Sequence, residues 1–145
     1  MQLSTCRFFI AIFMTVILLA ACAATPPTPE PEPTIPGALK RSEVLELFFD
    51  KTVESVTVHK GRVSLSYYSP SGEVRQMRNG QSRFGHWRVN ANGRICLQME
   101  ESEEKCRIIV KEADGSYQKY IVKKSGEHEA SVGYRNFVDG NPNKL

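Results

Sequence analysis

Three histidines, His59, His86 and His128, are the side chains most able to move a proton near neutral pH. They stand 27 and 42 positions apart, an interval that fits no metal-ligand spacing, and fall on a turn, a strand and a loop. Serine is plentiful, but no Gly-x-Ser-x-Gly elbow accompanies it and no His/Asp partner can be assigned. Glu100, Glu101, Glu103 and Glu104 gather at the tip of an expected hairpin, where a solvated turn is the reading rather than the paired acid and base of a cleft. The sequence therefore points to no enzyme, no metal and no cofactor. The remaining interaction chemistry is basic and aromatic: Arg75, Arg78, Arg83, Arg88, Arg94 and Arg107 interleave with Tyr67, Tyr68, Phe84 and Trp87. On outward strand positions, Arg75, Arg83 and Arg88 with Trp87 form a candidate binding face for an anionic glycan or an acidic protein surface. The alternative is a solvated outer face over an aromatic core.

The address of the protein is written at its beginning. Arg7 and the amino terminus make a positive region, residues 8–21 an apolar run of about 14 residues, and Ala20 and Ala21 the small residues before a cleavage point. A membrane-spanning helix needs roughly 20 apolar residues, so a cleaved signal is expected over 1–21 instead. Leu19-Ala20-Ala21-Cys22 resembles the bacterial lipobox, in which the cysteine thiol is acylated and becomes the first mature residue. Acyl chains contribute roughly 0.8 kcal/mol per buried CH₂, and more than one gives stable attachment, so the lipid bilayer is an expected partner through Cys22. The resemblance also implies the outer membrane, periplasmic face, because Ala23 rather than an inner-membrane-retaining aspartate follows the cysteine.

Residues 22–37 form the acylated cysteine and a tether. Six of the eight prolines lie there. Proline fixes φ and removes a donor, so extended polyproline II, at about 3.1 Å per residue, is the expected state, reaching roughly 45 Å. Residues 38–145 suffice for one domain with one core. Loss of 1–21 removes only Arg7, leaving 18 basic and 16 acidic side chains. That balance excludes a nucleic-acid binder, which concentrates basic residues on one face.

Export to an oxidising compartment permits a disulfide. With Cys6 removed and Cys22 acylated, Cys96 and Cys106 are left to pair. They lie on two expected strands, 94–100 and 104–111, and face each other if the hairpin centres on Glu101. That register puts Ile95, Leu97 and Met99 on the opposite face from Cys106, Ile108 and Val110. Moving by one residue aligns the apolar rows and parts the cysteines; a bulge or a helix over the second face would reconcile them.

The positioning elements follow from periodicity. Ser42 is expected to cap a helix through Phe49, with Val44, Leu47 and Phe48 on one face that must cover an end or edge of a sheet. Beyond Asp50 the period becomes two: Val56 and Val58; Val63, Leu65 and Tyr67; Trp87 and Val89. Turn residues such as Asn79-Gly80 and Asp114-Gly115 separate short strands. The expectation is a mainly β fold: an antiparallel meander of seven or eight strands closing into a small barrel or curled sheet, with one short N-terminal helix. Such a barrel usually fills its own interior.

The order Gly85-His86-Trp87-Arg88-Val89, Gly93-Arg94-Ile95-Cys96-Leu97, Cys106-Arg107, Asp114-Gly115-Ser116-Tyr117 and a final run over 137–142, preceded by Tyr67-Tyr68-Ser69-Pro70-Ser71-Gly72, resembles the bacterial family of exported proteins called domain of unknown function 995. The resemblance spans roughly residues 40–142 and implies a compact β-rich exported domain, with no catalytic residues to carry over. Two functions are expected to compete. One is a membrane-anchored, non-catalytic binding or accessory module facing the periplasm and contacting an envelope protein or anionic glycan. The other is a lipocalin-like carrier of a small ligand, which a cavity of at least about 300 Å³ would favour.

Overall fold

The computed structural model describes residues 35–145; Cys22, the signal segment and most of the proline-rich tract lie outside them. Helix α1 (Arg41–Phe48) is followed by β1 (Lys51–Thr57), β2 (Val63–Tyr68), β3 (Glu73–Arg78), β4 (Gln81–Val89), β5 (Ile95–Met99), β6 (Lys105–Lys111), β7 (Tyr117–Val122) and β8 (His128–Asp139). Each strand pairs antiparallel with the next, and β1 pairs with β8, closing an eight-stranded barrel. The expected mainly β barrel with a single short helix is thus the fold. Asn79 and Gly80 both take positive φ in the turn between β3 and β4, as a two-residue hairpin requires.

The helix starts one turn's edge earlier than its expected cap. Lys40 occupies the N-cap, its backbone N–H donating to Glu43 Oε2 at 2.7 Å, so Ser42 lies inside the first turn and does not cap it. Val44 and Phe48 are fully buried. Phe48 enters one end of the barrel, where the rings of Tyr68, Tyr134 and Phe137 meet it edge-on at 4.9, 5.1 and 5.9 Å between centroids. Burial pushes the phenol pKa values of Tyr68 and Tyr134 up.

Two irregularities in β8 shape the interior. Thr52 pairs with Val138 and Glu54 with Arg135, leaving an extra residue in β8, where Asn136 adopts a left-handed conformation. The bulge lets Tyr134 and Phe137, three apart, both reach Phe48. A second shift, between Lys119 and Tyr120 of β7, leaves Ser131 extra, and its hydroxyl donates to Lys119 O at 3.0 Å.

Cys96 pairs with Cys106 in register and is joined to it by a disulfide, with Cα atoms 3.9 Å apart. Ile95, Leu97 and Ile109 therefore face inward, and Ile108 and Val110 outward. The conflict between the rows is resolved by neither a bulge nor a helix. Beyond Arg107, β6 outruns β5, and the entering chain takes the free edge: Leu39 N–H donates to Ile109 O at 2.8 Å and Lys111 N–H to Gly37 O at 2.9 Å. A side chain at Gly37 would come within 2.5 Å of Lys111 O, so the approach requires glycine. Val110, 3% exposed, is covered on the outside by this segment.

The expected inward row of β2 is inverted. Ser64, Ser66 and Tyr68 are buried, whereas Val63 is 47% exposed and Leu65 and Tyr67 are half-buried on the exterior. Val56 is likewise outside, opposite Val63, and Val58 lies beyond the end of β1. Tyr68 must reach Phe48, and with a period of two that commits both serines to the interior. Phe48→Ala removes the central ring of the plug; urea unfolding should show a loss of about 3–5 kcal/mol.

Candidate functional site

Aromatic and aliphatic side chains fill only the helix end of the barrel. At the other end, between the β1–β2, β3–β4, β5–β6 and β7–β8 turns, the interior holds a cavity of about 520 Å³, so the barrel does not fill itself as expected. Tyr68 and Val74 form its floor, and Leu97, Met99, Ile121 and Val132 an apolar wall. The remaining lining is polar and carries five cations, Arg78 from β3, Arg83 from β4, Lys105 and Arg107 from β6 and Lys119 from β7, against one carboxylate, Glu103, with Ser66 and Gln76 among the neutral groups.

These groups are only partly satisfied. Arg78 Nε donates to Ser64 Oγ at 2.7 Å and Gln76 Nε2 to Ser66 Oγ at 3.1 Å, which explains why β2 turns its serines inward. Gln76 Oε1 is buried without a hydrogen-bond partner among the described residues. Arg107 Nη1 donates to Cys106 O at 2.9 Å, and Arg83 reaches Glu100 at 3.3 Å. For the Lys119 ammonium there is no hydrogen-bond or ion-pair partner among the described residues. Burial, then the positive charges of Arg107 and Arg78, pull its pKa down to about 8. Arg78 is also pulled down, by burial first and then by Arg83 and Arg62.

The residues singled out from sequence are divided between two sides of one wall. Arg83 and Trp87 point inward, whereas Arg75 and Arg88 point outward. Trp87 is 6% exposed, stacks edge-on with Tyr68 and donates its indole N–H to Ser69 O at 2.9 Å, so it belongs to the core and not to a surface platform. Arg88 is held by Glu104 through two hydrogen bonds of 2.8 and 2.5 Å, and Arg75 lies near Glu73 and donates to Leu145 O at 3.2 Å. The four do not make one face. Cys96 and Cys106 are consumed by their bridge. Of the histidines, His59 contacts Glu129 at 2.6 Å, and His128 Nε2 is buried without a hydrogen-bond partner among the described residues.

Lys119, Gln76 and the two serines escaped the sequence reading, and Arg78 and Arg107 were expected outside. One signal was present. In Tyr117-Gln118-Lys119-Tyr120-Ile121 and Lys105-Cys106-Arg107-Ile108-Ile109, cations stand at period two with Tyr117, Ile121 and Ile109. A cation in an apolar row marks a strand whose inner face changes from core to wet cavity along its length.

On the exterior, Phe84 is 64% exposed beside Arg75 and His86, at a depression of about 470 Å³. Among the described residues no helix is long and apolar enough to cross a membrane. The family model for proteins of unknown function DUF995 matches residues 16–118, so the match reaches into β7 and stops short of the 137–142 run. No curated protein matches the chain, and no solved structure does.

Lys119→Met removes the unpartnered cation and should stabilise the protein at pH 7 by about 1–2 kcal/mol in urea unfolding. The sign follows from a folded pKa of about 8 below the ordinary 10.5: the penalty is complete below pH 8 and disappears as pH rises to 10.5. The variant's advantage should shrink over that interval.

Proposed function

The chain belongs to the DUF995 family, and from that premise we propose that it is a non-catalytic ligand-binding barrel, held by acylated Cys22 at the periplasmic face of the outer membrane and taking a small molecule through its open end. The observation that carries this reading is the 520 Å³ interior cavity, which lies within the range of small-ligand sites and combines an apolar wall with a few convergent polar groups. It favours the carrier over the surface module. The closed end adds a reason of geometry. Residues 35–39 enter beside Lys111, at the helix-plugged end of β6, so the open mouth is at the other end of the barrel from that entry. A proline-rich spacer of roughly 45 Å would hold that mouth clear of the bilayer.

A surface module contacting an envelope protein remains the second reading, favoured by Phe84 on the exterior. Native extraction in a nonionic detergent, followed by denaturation and mass spectrometry, separates the two. A small molecule released at about one per chain, and displaced by Leu97→Trp, is expected. Its absence together with a reproducible crosslinked protein partner would replace the carrier by the module. Cys22→Ser should move the protein from the membrane to the soluble fraction; unchanged membrane association would remove the anchor.

A further inference from the structure

Resting on the interior-binding reading, we propose that the ligand is a compact organic dianion, of the phosphomonoester or dicarboxylate class, with its charged end held by Arg78, Arg107 and Lys119 and its apolar body on Leu97, Met99 and Ile121. Charge decides the class. Arg78 and Arg107 donate to a hydroxyl and a carbonyl, which are neutral acceptors, and Lys119 has no partner among the described residues. Glu100 is engaged by Arg83, and Glu103 at the rim is matched in charge by Lys105. Among the described residues, therefore, Arg78, Arg107 and Lys119 have no carboxylate partner. A monoanion would leave two of them uncompensated in a partly desolvated site, whereas a dianion leaves one.

Shape decides the size. Lys119 and Arg107 sit at mid-depth: Lys119 is opposite Ile109, and Arg107 is two residues from Ile109 toward the mouth on β6. Arg78 is the last residue of β3 and reaches in from the rim. Below them Tyr68 and Val74 close the floor over the Phe48 plug, so a long acyl chain has no room to descend. Gln76, whose buried Oε1 has no partner among the described residues, offers a neutral group that accepts from a ligand hydroxyl. The apolar residues Leu97, Met99 and Ile121 belong to β5 and β7, on either side of the β6 cations, so one ligand can touch both kinds of surface.

The test is calorimetric titration of the lipidated full chain in a nonionic maltoside with phenyl phosphate, phthalate, hexanoate and benzyl alcohol. At least one dianion should bind at one per chain, about tenfold or more tighter than hexanoate or benzyl alcohol; which dianion binds assigns phosphomonoester or dicarboxylate. Arg107→Gln and Lys119→Gln should each weaken dianion binding by about tenfold, Arg107→Lys should retain more than Arg107→Gln, and Arg135→Gln, outside on Glu54, should change nothing. Hexanoate or benzyl alcohol binding as tightly as the dianions would overturn the ligand class and leave interior binding standing. Dianion binding indifferent to both interior substitutions would overturn the assignment to these cations. No binding by any of the four would count against interior binding itself.

Discussion

Pairing of β1 with β8 is the constraint from which the rest of the molecule follows. Closure removes both sheet edges, and eight strands fix an interior only wide enough for side chains and one small ligand. A tube of that width needs something at its ends. Helix α1 supplies it at one end through Phe48, gripped edge-on by three aromatic rings. At the other end only turns meet, and the interior opens. The molecule is thereby asymmetric along its axis: dry and aromatic beside the helix, polar and basic beneath the hairpin turns.

Strand β8 carries the local adjustments that make both halves possible. Its left-handed Asn136 lets two aromatic residues of one strand converge on the plug, and its extra Ser131 lets consecutive side chains line the cavity. The β5–β6 hairpin is fixed differently. Its disulfide locks a register in which one face of β6 is basic near the mouth and apolar near the plug, and the other face is covered partly by the entering chain. Because β6 is longer than its partner β5, the segment leading into α1 finds an unpaired edge and completes it.

Burying cations without counter-charges is costly, and Lys119 records that cost in its lowered pKa. Elsewhere the molecule pairs its charges well, as in Arg88 with Glu104 and Arg135 with Glu54 on the outer surface. The contrast between satisfied exterior pairs and unsatisfied interior cations is what distinguishes the cavity from ordinary barrel filling. It gives the cavity of this DUF995 member a definite electrostatic sign.

Composition and period were enough for the fold class, the short helix, a count of seven or eight strands and the Cys96–Cys106 bridge, because each depends on local pattern or on counting. The lipobox resemblance, too, is a matter of adjacent residues, and it remains a statement about sequence. The inner and outer rows were another matter. Alternation in β2 separates Val63, Leu65 and Tyr67 from Ser64, Ser66 and Tyr68, but alternation carries no sign: it cannot tell which row faces the axis when both contain a large aromatic residue. Only tertiary structure supplied the sign, because Tyr68 has to meet a phenylalanine from a helix 20 residues earlier and Arg78 has to find a serine across the strand pair. Arg83 and Arg88 on β4 are five residues apart, so alternation alone sets them on opposite faces, and tertiary structure decided only that Arg83 is the one facing the axis.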